Sequence, residues 1–167
     1  MNKILIILLV SAGIFTSCTK DKPDPGATSS VSMANEWWVH VYLNGTQITT
    51  GSPKHFYTYN TAANNDQMWF DDRNTLPAAK RFKTMVTANY SALTFSATST
   101  DNIGQAAVAG VYKKVTITNG KILKGVGHSR TNNVTDSLFL NIVYSDDPTN
   151  TYTVTGHART FFIDDDY

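Results

Sequence analysis

The feature that most constrains this chain is an alternation of apolar and polar residues with a period of two, broken every six to ten residues by turn-forming residues. "EWWVHVYL", residues 36–43, puts Trp37, Val39, Val41 and Leu43 on one face and Trp38, His40 and Tyr42 on the other. That is the pattern of a half-buried β-strand. No segment keeps apolar residues at helical spacing for three turns. Glu36 is the sole glutamate, while Thr, Val and Tyr abound, so local propensity also favours strands. Asn44-Gly45 follows the first run and leads into "TQITT". Asn-Gly is a strong hairpin signal, because both central residues of a type I′ turn need positive φ.

The same grammar continues along the chain. "HFYTYNT" and "DQMWFDD" form one pair, and "FKTMVTANY" and "LTFSAT" another, with a bend at Tyr90-Ser91-Ala92. "KKVTIT" and "KILKGVGHS" read as a second Asn-Gly hairpin around Asn119-Gly120. "DSLFLNIVY", the turn "SDDPTN" and "TYTVTGHARTFF" close the series. "STDNIGQAAVAGVY" reads as a loop over a barrel mouth or a short helical turn, and the closing "IDDDY" as an exposed acidic end. About eight strands joined by short hairpins make an all-β antiparallel meander. Closure into a barrel removes its exposed edges. A two-sheet β-sandwich is the alternative.

The N-terminal segment has a different character. Lys3 precedes an apolar run from Ile4 to Phe15, then Thr16, Ser17 and Cys18. The run is too short to span a bilayer as a helix and has the form of a signal peptide, residues 1–17. Cys18 is the only cysteine, so it has no intramolecular disulfide partner. "FTSC" resembles a bacterial lipobox, which would make Cys18 the lipidated first residue of the mature chain. Residues 18–35, rich in Pro, Gly, Ser and Thr, read as a flexible tether. Residues 36–167 make a single domain. The chain has 14 basic and 13 acidic residues, a balance that argues against nucleic acid as a partner.

Several stretches together resemble a known family. "NEWWVHVYLNG", "YNTAANNDQMWFDD", "NGKILKGVGHSRTNNVTDS" and "YTVTGHARTFFIDDDY" are similar to those of the lipid-binding putative hydrolase family of Bacteroidetes lipoproteins. The resemblance implies a lipocalin-like, calycin-like β-barrel carrying a lipid anchor. "CTKD" also resembles the signals that send such lipoproteins to the outer leaflet of the outer membrane. The resemblance carries over no catalytic residues.

Read for chemistry, the chain offers fragments of sites. "GHSRT" (Gly127–Thr131) approaches the Gly-x-Ser-x-Gly nucleophile elbow but has Thr131 where the second glycine belongs. Asp71, Asp72, Asp136 and Asp146 are placed as turn and strand-end residues are. His40, His55, His128 and His157 lack any metal-ligand spacing, so neither metal nor cofactor is implied. "GHART" (Gly156–Thr160) nearly repeats "GHSRT". Alternation puts His157 and Arg159 on one face and Gly156, Ala158 and Thr160 on the other.

Two readings of that repeat stand. Either the small residues face the core and the His-Arg pairs face water, or His157 and Arg159 point inward to orient an acidic headgroup. The expected function is binding of a small amphipathic ligand, a lipid or fatty acid, inside the barrel. Trp37, Trp38, Trp69, His128, Arg130, His157 and Arg159 are the candidate contacts, and membrane attachment would run through Cys18. A hydrolase, or a module that binds a surface protein or glycan, are the alternatives.

Overall fold

A computed structural model describes residues 26–167, so the expected signal peptide (1–17) and Cys18 lie outside the described residues. The first strand, β1 (Asn35–Leu43), buries Trp37, Val39 and Val41 on one face. It turns at Asn44 (φ 48°) and Gly45 (φ 89°), the positive-φ pair that an Asn-Gly hairpin needs. The return strand β2 (Thr46–Gln47) is only two residues long and pairs with Tyr42 and Leu43. Thereafter the chain is an up-and-down meander through β3 (Lys54–Asn60), β4 (Gln67–Asp71), β5 (Lys83–Asn89) and β6 (Thr94–Asp101). It continues through β7 (Lys114–His128), β8 (Val134–Tyr144) and β9 (Asp147–Ala158).

Closure comes from β9 pairing back onto β1, from Trp37↔Ala158 to Leu43↔Tyr152. The result is a closed eight-stranded antiparallel barrel with β2 as an extra strand outside the ring. A sandwich leaves first and last strands unpaired with each other, so this pairing decides for the barrel. One end, the entry end, is where β1 begins and β9 finishes. The other is the far end.

Two local expectations need correction. Asn119-Gly120 is not a hairpin, because β7 runs straight through it as one 15-residue strand. Asn119 takes φ 55°, and the β7–β8 register slips between Thr118 and Lys121, which marks a β-bulge. Gly120 is buried here, and a Cβ on it would lie 2.4 Å from the Phe95 carbonyl oxygen. The tail "IDDDY" is not simply an exposed acidic end either, since Asp165 is fully buried.

The lumen is packed with side chains. Phe56, Phe70, Phe82 and Phe95 form a chain of ring contacts with centroids 5.2–6.0 Å apart. Tyr144 and Tyr152 meet edge-to-face at 5.3 Å. Trp37, Met68, Leu138, Leu140 and Val154 complete the core with no exposure to water. An empty ligand chamber would leave such lining residues accessible to water, and these are not. Each buried large side chain contributes on the order of 1.5–3 kcal/mol. The Trp37 indole N–H donates to Thr58 Oγ1 at 2.9 Å, and Thr58 donates onward to the Met33 carbonyl at 2.5 Å, so the polar groups among them are satisfied.

Both mouths are stoppered. At the entry end the turn 28–33 crosses below the barrel and buries Ser30 and Met33. At the far end the loop after β4 buries Leu76 and Phe82. Asp72 organises that loop by accepting N–H bonds from Asn74, Leu76 and Phe82. The Tyr144 hydroxyl donates to the Lys80 carbonyl at 2.7 Å. The region 99–112 runs from the end of β6 into a far-end loop, pinned where Asn102 accepts the Lys83 N–H and donates to the Arg81 carbonyl.

Candidate functional site

Strand register decides where the repeated phrases point. Trp38 pairs with His157 across the β1–β9 seam, and Trp37 with Ala158. Trp37 is interior, so Ala158 is interior too, and Trp38, His157 and Arg159 lie on the outer wall. Gly127 and Ser129 are buried while His128 and Arg130 are exposed. Ser129 Oγ accepts the Asn133 N–H at 3.0 Å, which closes a turn. His128 sits one residue away on the opposite face, so no nucleophile and base meet here.

Around Trp38 a polar cluster has formed on the outside of the entry end. The Arg159 guanidinium donates to Asp166 through Nε (2.7 Å) and NH2, and to Glu36 Oε2 through NH1 at 2.9 Å. Asp166 first, and Glu36 second, hold Arg159 charged more firmly than usual. The Arg159 hydrogen bonds in turn hold Asp166 below the usual carboxylate range. His55 stacks on Trp38 at 4.3 Å and 17°, with its Nε2 3.0 Å from Glu36 Oε2. Desolvation lowers its pKa despite the pull of Glu36. Tyr167 meets Trp38 edge-on at 5.4 Å, and Arg130 donates to the Asp166 carbonyl at 3.2 Å.

The fork of Arg159 is thus taken by two carboxylates of the same chain. The cluster fastens the C-terminal tail rather than presenting a free cation. Trp38, Arg130, His157 and Arg159, expected as ligand contacts, come together here, joined by Glu36, His55 and Asp166, which the sequence did not single out as contacts. Their signal was available only as the lone glutamate opposite a terminal acidic run.

Trp69 lies on a different wall. It pairs with Tyr59 and Met85 in register and points outward. The Lys83 ammonium sits 5.2 Å from its ring and 5.5 Å from that of Tyr59. Beside it the barrel wall is dented. β6 pairs with β5 only from Thr94 to Ser96, and its register with β7 slips twice. A groove of about 610 Å³ opens beside the β7 bulge, over the paired part of β5 and β6, with Asn119, Lys121 and Phe139 on one side and Thr87 and Ser96 on the other. A second groove of about 380 Å³ adjoins it at Thr87, lined by Trp69, Met85, Ile103 and Lys114. Together they make an outer furrow with an aromatic at each end. Lys121 lies 5.3 Å from the Phe139 ring and makes no ion pair among the described residues. Lys114 is bonded to Asp101.

The family model described as "lipid-binding putative hydrolase" matches residues 22–163, nearly the whole chain. The chain belongs to that family. No curated protein matches it. In this lipid-binding family member, a β-barrel carries on its outer wall a furrow of mixed lining, mostly Thr, Ser and Asn with Phe139, Met85 and Trp69 among them and Lys121 at its rim, and its lumen is filled. Among the described residues, no three His, Cys, Asp or Glu side chains are grouped to hold a metal.

Proposed function

We propose that this protein is a bacterial outer-membrane lipoprotein, anchored through Cys18, that binds an amphipathic lipid with an acidic headgroup in its outer furrow and does not transform it. The lumen, where a ligand was expected, has no room. The observation that carries the reading is the pairing of Phe139 with an uncommitted Lys121 beside the groove of about 610 Å³. Pockets of this size are typical of small-molecule sites, with apolar walls and few polar groups that fix orientation. The tail of the lipid lies along Phe139, Met85 and Trp69, and its headgroup meets Lys121. The family description and the barrel support a lipid as the class of ligand.

The test is titration of the purified protein with cis-parinaric acid. Saturable binding is expected, weakened roughly tenfold or more by Lys121→Glu, a change of about 1.4 kcal/mol per tenfold, and similarly by Phe139→Ser. Equal affinity in both variants would remove the furrow as the site.

A further inference from the structure

The entry end carries a surface that neither the furrow nor the core explains. After β9 the chain leaves the wall, passes Phe161, Phe162 and Ile163, and folds back. These three consecutive apolar residues are 62, 61 and 88 % exposed. Val31, on the turn that stoppers the same end, is 62 % exposed, and Val126 and Val134, at the end of β7 and the start of β8, are 57 and 65 % exposed. The antiparallel meander places all six at one end of the barrel, because β1 and β8 begin there and β7 and β9 finish there.

This tip is held out rigidly. Phe161 has φ 63°, a left-handed backbone that is costly for a bulky residue. Behind it Asp165 accepts the Thr131 N–H and the hydroxyls of Thr131 and Thr160, and an Asn133 amide N–H. Arg159 clamps Asp166 and lies 5.0 Å from the Phe161 ring. The segment shows its phenylalanines to water, and exposed large apolar patches mark interaction surfaces.

What covers it follows from where the chain enters. Ser29 donates to Asn64 and to the Asn65 carbonyl, in the β3–β4 loop at the entry end. Eight residue steps separate Gly26 from Cys18. At ~3.3–3.6 Å per residue the span is under about 30 Å even when fully extended. A lipid on Cys18 therefore lies within about 30 Å of the point where the chain enters this end.

We infer that the entry end is a membrane-docking face: Phe161, Phe162 and Ile163 insert into the bilayer interface, and the barrel stands end-on upon it. This rests on the lipid anchor proposed above. Aromatic and aliphatic side chains on a short projecting element are suited to the headgroup–acyl boundary, where they bind reversibly beside an acyl anchor. The furrow then runs up the wall from the membrane surface, within reach of an extracted lipid.

The experiment places a nitroxide label at Phe162→Cys in the full-length chain, where acylated Cys18 does not react, on vesicles of phosphatidylethanolamine and phosphatidylglycerol. Val108→Cys, at the equally exposed far-end loop (72 %), is the control. The expected result is several-fold greater collision with oxygen than with a water-soluble nickel chelate at 162, present only with vesicles, and the reverse at 108. Ile163→Cys should repeat the behaviour of 162. Water-like collision at 162 and 163 on vesicles would overturn the proposal. So would dipolar broadening between labels, which would assign the face to a second copy of the chain. The same labels are read in the Cys18→Ser chain, and the mass of the native chain reports acylation. An unmodified Cys18 would sink the anchor alone, while the label at 162 still decides the face.

Discussion

At the residue scale, the repeated Gly-His-x-Arg-Thr phrase is a solution to close strand packing, used twice near one end of the barrel. A Cβ on Gly156 would lie 2.0 Å from the Trp38 carbonyl oxygen and 2.7 Å from Val39 Cα. On Gly127 it would lie 2.5 Å from the Asp136 carbonyl oxygen. Both glycines let a neighbouring backbone come close at a seam, β9 with β1 and β7 with β8. Gly156→Val should therefore lower stability by about 3 kcal/mol, at the upper end for overpacked sites. Urea unfolding followed by tryptophan fluorescence would show it as a lower midpoint with unchanged slope. The alternation itself was legible in the sequence, and so was the separation of Trp37 from Trp38 onto opposite faces. Which face of "GHART" looked inward was not, because a period-two pattern reads the same when its faces are exchanged. The pairing of Trp37 with Ala158 settles it.

At the element scale, the two Asn-Gly dipeptides show how far a local signal reaches. Asn44-Gly45 makes the hairpin it advertises, whereas Asn119-Gly120 makes a bulge inside β7. Both need an asparagine at positive φ, so the chemistry is shared. What differs is the neighbourhood: β7 is gripped on both sides by β6 and β8, and that pairing keeps the strand straight. The C-terminal tail is a second case, an acidic run that became a fastening. Burial pushes the Asp165 carboxyl up, but hydrogen bonds from Thr131, Thr160 and Asn133 outweigh it and hold the group well below its ordinary value of 3.8. A carboxylate depressed in the fold adds stability above its unfolded pKa and loses it as pH falls through the folded one. Asp165→Asn should thus unfold at a lower temperature than the native chain at pH 6. The gap should narrow as pH drops below 3.8, as thermal melts across that range would show. A gap that stays constant with pH would assign the difference to shape rather than charge.

At the scale of the whole molecule, closure and packing together move the site. Eight strands can enclose a small ligand or only side chains. Here the four inward phenylalanines, Trp37 and the two tyrosines take the space, and the outer wall beside the β7 bulge, with the stretch beyond it where β6 parts from β5, becomes the available groove. Phe70→Ala should cost roughly 3–5 kcal/mol in urea unfolding. The cavity it leaves would be apolar and dry, a place for xenon rather than water. Binding of cis-parinaric acid in the furrow should be unchanged in that variant, provided measurements are made well below its unfolding temperature. A change in affinity would indicate that ligand reaches the lumen after all.

The sequence by itself determined an all-β antiparallel meander, its approximate strands and membership of a lipid-binding family, because each rests on local periodicity or on recognisable phrases. Only the tertiary structure decided that β9 returns to β1, that Trp38 and Trp69 are outside while Trp37 is core, and that Arg159 is spent on Glu36 and Asp166. Those outcomes depend on register and on contacts between residues more than a hundred positions apart, such as Arg159 with Glu36. A pattern that repeats every two residues carries no information about either.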